Sequence, residues 1–466
     1  MNILNTIASA AGWIAAACLS AGAWAQDLTP VRGPADRSVI IRGATVHTVG
    51  GATIKDGVVV MGREITGVYT ADEFRAWAAT VRWAAPGPVE IDAAGKHVYP
   101  GLIGAFTTLG LEEMQSIRAT RDTAEVGEVT PEASACAAVN PDSTLIPVAR
   151  TNGVLIAGVF PDGGLVPGRA CAIRLHGWTV EDLAVTNSGG LVVNWPWMRT
   201  VRGVDGPRED EQAKDIRARL ARLTEAFDGA LAYRNAKAPG GPTDVRHEAV
   251  VPFLPAPGGG PGGRVYIRAN DADQITAACA FAAERGLSVV LVGGRDARLC
   301  VDAIKRAGVL GVILVGTHNL PKRADSDYDE AYRLPAALRD AGIPFCIASG
   351  QETGHERNLP YAAATAVAFG LTPEEGIRSV TLDAARLLGI GDRYGSIEAG
   401  KSATVMITDG NPLELTTRVE RAFIDGVEVD LSNKQTVLYE RILERYRQRG
   451  ELDAQGRRAQ PDGAGR

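Results

Sequence analysis

Residues 38–62, SVIIRGATVHTVGGATIKDGVVVMG, alternate β-forming residues with Gly and Asp-Gly turns, a pattern that predicts hairpins. Residues 404–430, TVMITDGNPLELTTRVERAFIDGVEVD, read the same way near the other end. Two β-rich pieces flanking a long middle predict a small β-sandwich assembled from both chain ends. Within the middle, GVLIAGVF (153–160), RVYIRA (264–269), LSVVLVGG (287–294), LGVILVG (310–316) and IPFCIASG (343–350) are short, rich in Val and Ile, and followed by polar loops. Helical patterns such as DADQITAACAFAAERG (271–286) and YRLPAALRDAG (332–342) separate them. Apolar strands alternating with helices predict an α/β fold with a parallel sheet covered on both faces. The length available suits a (β/α)8 TIM barrel, whose sites lie at the C-terminal ends of the strands.

The expected division is a signal peptide at 1–25, the N-terminal part of the sandwich at 36–98, the barrel at 99–394 with an insertion at 200–263, the C-terminal part of the sandwich at 395–432, and a helix with a disordered tail at 433–466. In the insertion, 209–236 predicts an amphipathic helix whose Ile216, Leu220, Leu223, Phe227 and Leu231 face the barrel. PFLPAPGGGPGG (252–263) is expected as a surface loop with nothing to bury. LYERILERYRQR (438–449) predicts the last amphipathic helix.

The chain of 466 residues is 45% hydrophobic and 22% charged, enough apolar material for a sizeable core. Its net charge of -6, with Lys and Arg dispersed, argues against a nucleic-acid partner. Residues 1–25 carry no charged side chain and end in Ala23-Trp24-Ala25, the small-x-small pattern of a signal-peptidase site, so a secreted or periplasmic protein cut before Gln26 is expected. AAAC ending at Cys18 offers a weaker lipoprotein alternative. No other run approaches a membrane span. Cys136, Cys171, Cys279, Cys300 and Cys346 would remain, an odd number without a CxxC pair, and are read as small apolar residues on strands and helices.

GSIEAGKS (395–402) satisfies the P-loop pattern. A P-loop needs a strand before it and a helix after it, so that helix N–H groups meet the phosphates. Here helical TLDAARLLGI precedes and the strand TVMITD follows, which argues against nucleotide binding.

The β-rich start, HVYPGLI (97–103), GLTPEEGIRSVTLDAARLLGIGDRYGSIEAGKSATVMITDGNPLE (370–414) and FIDGVEVD together resemble the metal-dependent amidohydrolases, particularly secreted imidazolonepropionase-like members. The resemblance implies a barrel holding one or two divalent metals, usually zinc, through a His-x-His pair on strand 1, histidines on strands 5 and 6 and an aspartate on strand 8, sometimes with a carboxylated lysine on strand 4. It also implies hydrolysis of carbon–nitrogen bonds other than peptide bonds. Such ligands hold a cation that lowers the pKa of bound water to about 7, and a carboxylate then shuttles protons.

Laid on that pattern, the two strand 1 positions are Phe106 and Thr108, the strand 5 position is Arg268 and the strand 6 position is Gly293. The strand 8 position falls on Gly350, or on Glu352 after a two-residue slip; the strand 4 lysine has no evident counterpart. Phe offers no lone pair, Thr is a weak ligand, and a guanidinium repels a metal. A standard zinc site is therefore not expected, and no cofactor is expected unless a site for Zn is rebuilt elsewhere.

Two loops concentrate polar residues, GTHNLPKRADSDYDEAYRLP (316–335) and SGQETGHERNLPY (349–361). They offer His318, Glu352 and His355 as a rebuilt catalytic group, and Arg268, Arg323, Asp327, Tyr328 and Arg357 as substrate-binding residues. The competing reading makes these turn and cap residues, with Asp325 and Asp327 preceding a helix that begins near Asp329 and Arg357 tying the loops together. His47, His97 and His247 are expected outside the site, whereas His176 has a chance of facing it. The chemical partner is a small molecule, bound either for hydrolysis or without catalysis; self-association stays open.

Overall fold

The computed structural model describes residues 31–33, 37–200, 208–237, 241–323, 326–350 and 353–452. The expected signal peptide, Asp325, Glu352 and the tail beyond 452 lie outside them. Residues 31–431 form one compact unit. Residues 432–452 belong to a second, where Asn433 caps the helix Lys434–Gln448 by accepting from the N–H groups of Gln435 and Thr436.

The first sheet comes from both ends, as expected. β1 (Val39–Val46) pairs antiparallel with β2 (Ile54–Met61), and β2 with β3 (Ile65–Thr70). Thr70 caps the helix α1 (Ala71–Ala78) in a reciprocal box with Glu73. β4 (Val89–Asp92) and β5 (His97–Pro100) run parallel to β1. From the far end, β14 (Val405–Thr408), β15 (Val419–Ile424) and β16 (Val427–Val429) extend the same sheet through β5. Ile41, Val59, Val98, Val405 and Phe423 bury its core.

The second sheet is the barrel, ordered β6 (Leu102–Thr107), β7 (Val154–Val159), β8 (Gly168–Arg174), β9 (Ala184–Asn194), β10 (Arg264–Ala269), β11 (Ser288–Gly293), β12 (Gly311–Val315) and β13 (Phe345–Ala348). All are parallel except β8, which is antiparallel to both neighbours. The expectation of an all-parallel sheet is corrected there. Residues 160–167 are too few for a crossover, which takes a dozen or more, so the chain turns back as a hairpin. The other strands carry outer helices, including α2 (Glu209–Ala236), α3 (Ala272–Arg285), α4 (Val301–Arg306), α5 (Glu330–Asp340), α6 (Leu359–Ala368) and α7 (Leu382–Leu388).

Inward residues Ile103, Ile156, Tyr266, Val290, Ile313 and Cys346 fill the barrel. Leu223 and Phe227 of α2 are buried as expected, but Ala230 takes the next contact and Leu231 is 40% exposed. The Gly/Pro segment also departs from expectation, since Phe253 and Leu254 at its start join the outer core. Cys136 and Cys171 form a disulfide, correcting the reading of all five cysteines as apolar fillers, whereas Cys279, Cys300 and Cys346 are free and buried. The P-loop-like turn lies between α7 and β14, and Lys401 donates to Gly391 O and Ser396 Oγ inside its own turn. No described helix is long and apolar enough to cross a membrane.

Candidate functional site at the barrel mouth

The C-terminal ends of the parallel strands make the mouth, so the side chains there decide the chemistry. Phe106 on β6 packs against Phe160 with ring centres 4.9 Å apart, and Phe160 meets Tyr266 edge-on at 4.9 Å. Above them the Arg268 guanidinium lies 4.8 Å from the Phe106 ring centre. Its Nη1 donates to Asp162 Oδ1 at 2.9 Å and its Nη2 to the Pro161 carbonyl at 2.7 Å. Burial pulls this guanidinium down from its usual range while Asp162 pulls it back. Three aromatic rings under a paired cation thus occupy one side of the mouth.

Gly293 ends β11 in a left-handed conformation (φ +100°), and the Asn270 side chain lies over it where a Cβ would stand. β9 contains no lysine. These residues do not fit a divalent metal: the four positions read as Phe106, Thr108, Arg268 and Gly293 supply one weak donor and one fixed positive charge. Among the described residues no group of three or more His, Cys, Asp or Glu is arranged to hold a metal ion.

The two polar loops are distributed differently from the rebuilt site. His318 is exposed, and its Nε2 is 2.6 Å from Thr365 Oγ1 on α6. His355 is exposed on a short 3-10 turn, and neither histidine makes an ion pair or hydrogen bond with a described carboxylate. Arg323 grips buried Asp296 with contacts of 3.0 and 2.8 Å and reaches Glu330 at 3.3 Å, while Arg298 holds the same Glu330 at 2.9 Å. That network fixes the loop to the start of α5. Asp327 and Tyr328 are exposed, and Arg357 offers its carbonyl to Asn152 Nδ2 at 2.6 Å. Asp329, two residues after Asp327, is the N-cap of α5 but makes no side-chain cap bond.

The residue that sequence reasoning passed over is Glu356, between His355 and Arg357. It is fully buried, and its Oε2 accepts a 2.6 Å bond from Ser349 Oγ. Burial pushes its carboxyl up to about 7, against the pull of the Ser349 and Thr107 hydroxyls. Its Oε1 has no hydrogen-bond partner among the described residues and sits against Gly104, where a Cβ would otherwise be. A signal existed: Gly104 lies two residues before the first ligand position in an otherwise bulky strand, and a strand glycine marks close approach by another group.

Beside the aromatic plug, Asn270, Arg295, Gly316, Asn319 and Lys322 line a narrow cleft with about 50 Å³ of room over the ends of β10 to β12. Arg295 and Lys322 both pair with Asp271, and the Lys322 ammonium lies 3.9 Å over the Trp197 ring.

Residues 270–439 match the amidohydrolase family. Over that stretch the chain is similar to amidohydrolases. It is 34% identical over 127 residues to the imidazolonepropionase of Chromobacterium violaceum, covering 26% of this chain and 28% of that enzyme. It is 36% identical over 83 residues to the imidazolonepropionase of Thermoplasma volcanium, covering 17% and 20%. The matches thus span less than a third of those enzymes' lengths. The amidohydrolase from Thermotoga maritima MSB8 shares the fold with a TM-score of 0.70 at 22% identity, over 84% of this chain and 99% of that one. The superfamily match begins at Asn270, just after β10, so Phe106, Thr108 and Arg268 fall outside it.

Proposed function

We propose that this protein is an exported amidohydrolase-superfamily member, of the hydrolase class acting on non-peptide carbon–nitrogen bonds, whose barrel binds a small amide-like molecule without metal-driven hydrolysis. The observation carrying this reading is the Arg268 guanidinium over Phe106, a fixed cation and a ring where the superfamily pattern expects donors to a metal. The cleft beside it presents carboxamides from Asn270 and Asn319, which complement a small amide group. Export is supported by the leader-like 1–25 and by the Cys136–Cys171 bridge, a bond that persists in oxidising compartments.

A second reading keeps catalysis, with Glu356 as the proton-transfer group. A buried carboxyl titrating near 7 has the acidity that general acid–base chemistry at neutral pH requires.

Metal analysis of protein purified with zinc present, followed by zinc titration calorimetry, tests the first reading. No stoichiometric metal and no tight zinc binding are expected. One tightly held transition metal per chain overturns it. Turnover of cyclic amides that persists in chelator and disappears in Glu356→Gln would replace it with the second.

A further inference from the structure

Because β8 runs against its neighbours, its C-terminal end emerges at the foot of the barrel, beside the first sheet. A pocket of about 280 Å³ opens there, lined by Arg32, Arg63, Arg174, His176, Trp178 and Asp425 among others. That volume is close to the lower end of small-molecule sites.

The acids around it are already committed. Asp425 accepts from Arg174 Nη1 at 2.6 Å, Tyr394 at 3.0 Å and Ser402 at 2.5 Å. Asp182 accepts the backbone N–H groups of Trp178 at 3.0 Å and Thr179 at 3.2 Å. Glu181 is held by the Thr179 hydroxyl and its own backbone. His176 bonds the Arg32 carbonyl at 3.0 Å, and burial together with nearby Arg150 and Arg32 keeps its pKa low, so it stays neutral.

The cations are less well matched. Among the described residues the Arg32 guanidinium has only a long 3.8 Å contact with Glu428, and the exposed Arg63 side chain makes no hydrogen bond or ion pair. Trp178, in the same lining, is 68% exposed, a large ring left in water at the wall of a cavity.

We propose that this pocket is a second ligand site, distinct from the barrel mouth, that takes a small carboxylate carrying a flat ring. Arg63 holds the carboxylate, and the ring lies on Trp178. A guanidinium fork matches a carboxylate through two parallel N–H bonds, and Arg63 is placed to supply both.

Calorimetry with benzoate, acetate and inorganic phosphate on the full chain tests the site, comparing wild type with Arg63→Ala and Trp178→Ala. Both residues are exposed, so both variants should keep the wild-type melting temperature. Saturable benzoate binding is expected, weakened about tenfold or more by either substitution, with acetate about tenfold or more weaker than benzoate, each a loss of about 1.4 kcal/mol. The proposal is overturned if benzoate does not saturate, if Arg63→Ala binds it within about twofold of wild type, or if phosphate binds as tightly as benzoate.

Discussion

Ser349 Oγ donates a 2.6 Å hydrogen bond to Glu356 Oε2 immediately beyond the last barrel strand, and the Thr107 hydroxyl at the end of the first strand acts on the same carboxyl. The hydrogen-bonded order of the barrel sheet runs from β13 to β6 without a ladder joining its two ends. One buried carboxyl therefore ties the first strand to the last across the open seam.

Its titration makes stability pH-dependent. The folded pKa of about 7 lies above the ordinary 4.5, so the native state holds this proton more tightly. The associated stability is complete below about pH 4.5 and is lost as pH rises through about 7, a change of about 3 kcal/mol. Urea unfolding at pH 5 and pH 8 should show Glu356→Gln less pH-dependent than wild type. An unchanged pH dependence would remove Glu356 as its source.

Gly104 should tolerate no side chain. A Cβ there meets the Glu356 carboxyl, so Gly104→Ala must push that carboxyl aside or shift the strand, costing about 1–3 kcal/mol. Combined with Glu356→Ala, which clears the space, the second change should recover part of that loss. Additive losses in thermal unfolding would contradict the contact.

Restoring the strand 1 histidines should not restore a metal site. Phe106→His with Thr108→His leaves Arg268 and Gly293 at the other two histidine positions, and the guanidinium opposes a cation. Zinc titration should show no tight site. Adding Arg268→His is the step expected to raise affinity measurably.

Reduction should destabilise the fold. The Cys136–Cys171 bridge spans 35 residues, and closing a loop of that size contributes about 2–4 kcal/mol. A reductant should lower the melting temperature of wild type and leave that of Cys136→Ala with Cys171→Ala unchanged. Equal shifts in both would place the effect on another thiol.

Strand and helix positions in the barrel were legible because periodicity and length are local properties. RVYIRA maps onto β10 without a shift, and helix 209–236 has the bounds expected. The reversal of β8 was not legible, since RACAIRL has the same apolar pattern whichever way it runs. The disulfide was hidden for a related reason: Cys136 and Cys171 meet only because that hairpin forms. At the mouth, the reading of Phe106 and Arg268 as unsuited to a metal rests on their chemistry alone. Their mutual stacking, and the burial of Glu356 between two exposed neighbours, depend on which way side chains turn in a short 3-10 segment.

The reversed strand also separates the two ends of the barrel for sequence change. The β7–β8 hairpin supplies Pro161 and Asp162 to the mouth, while residues 175–183 build the pocket wall at the foot. Substitutions in one connection can reshape its own surface without crossing the filled interior, so selection can tune the two ends independently.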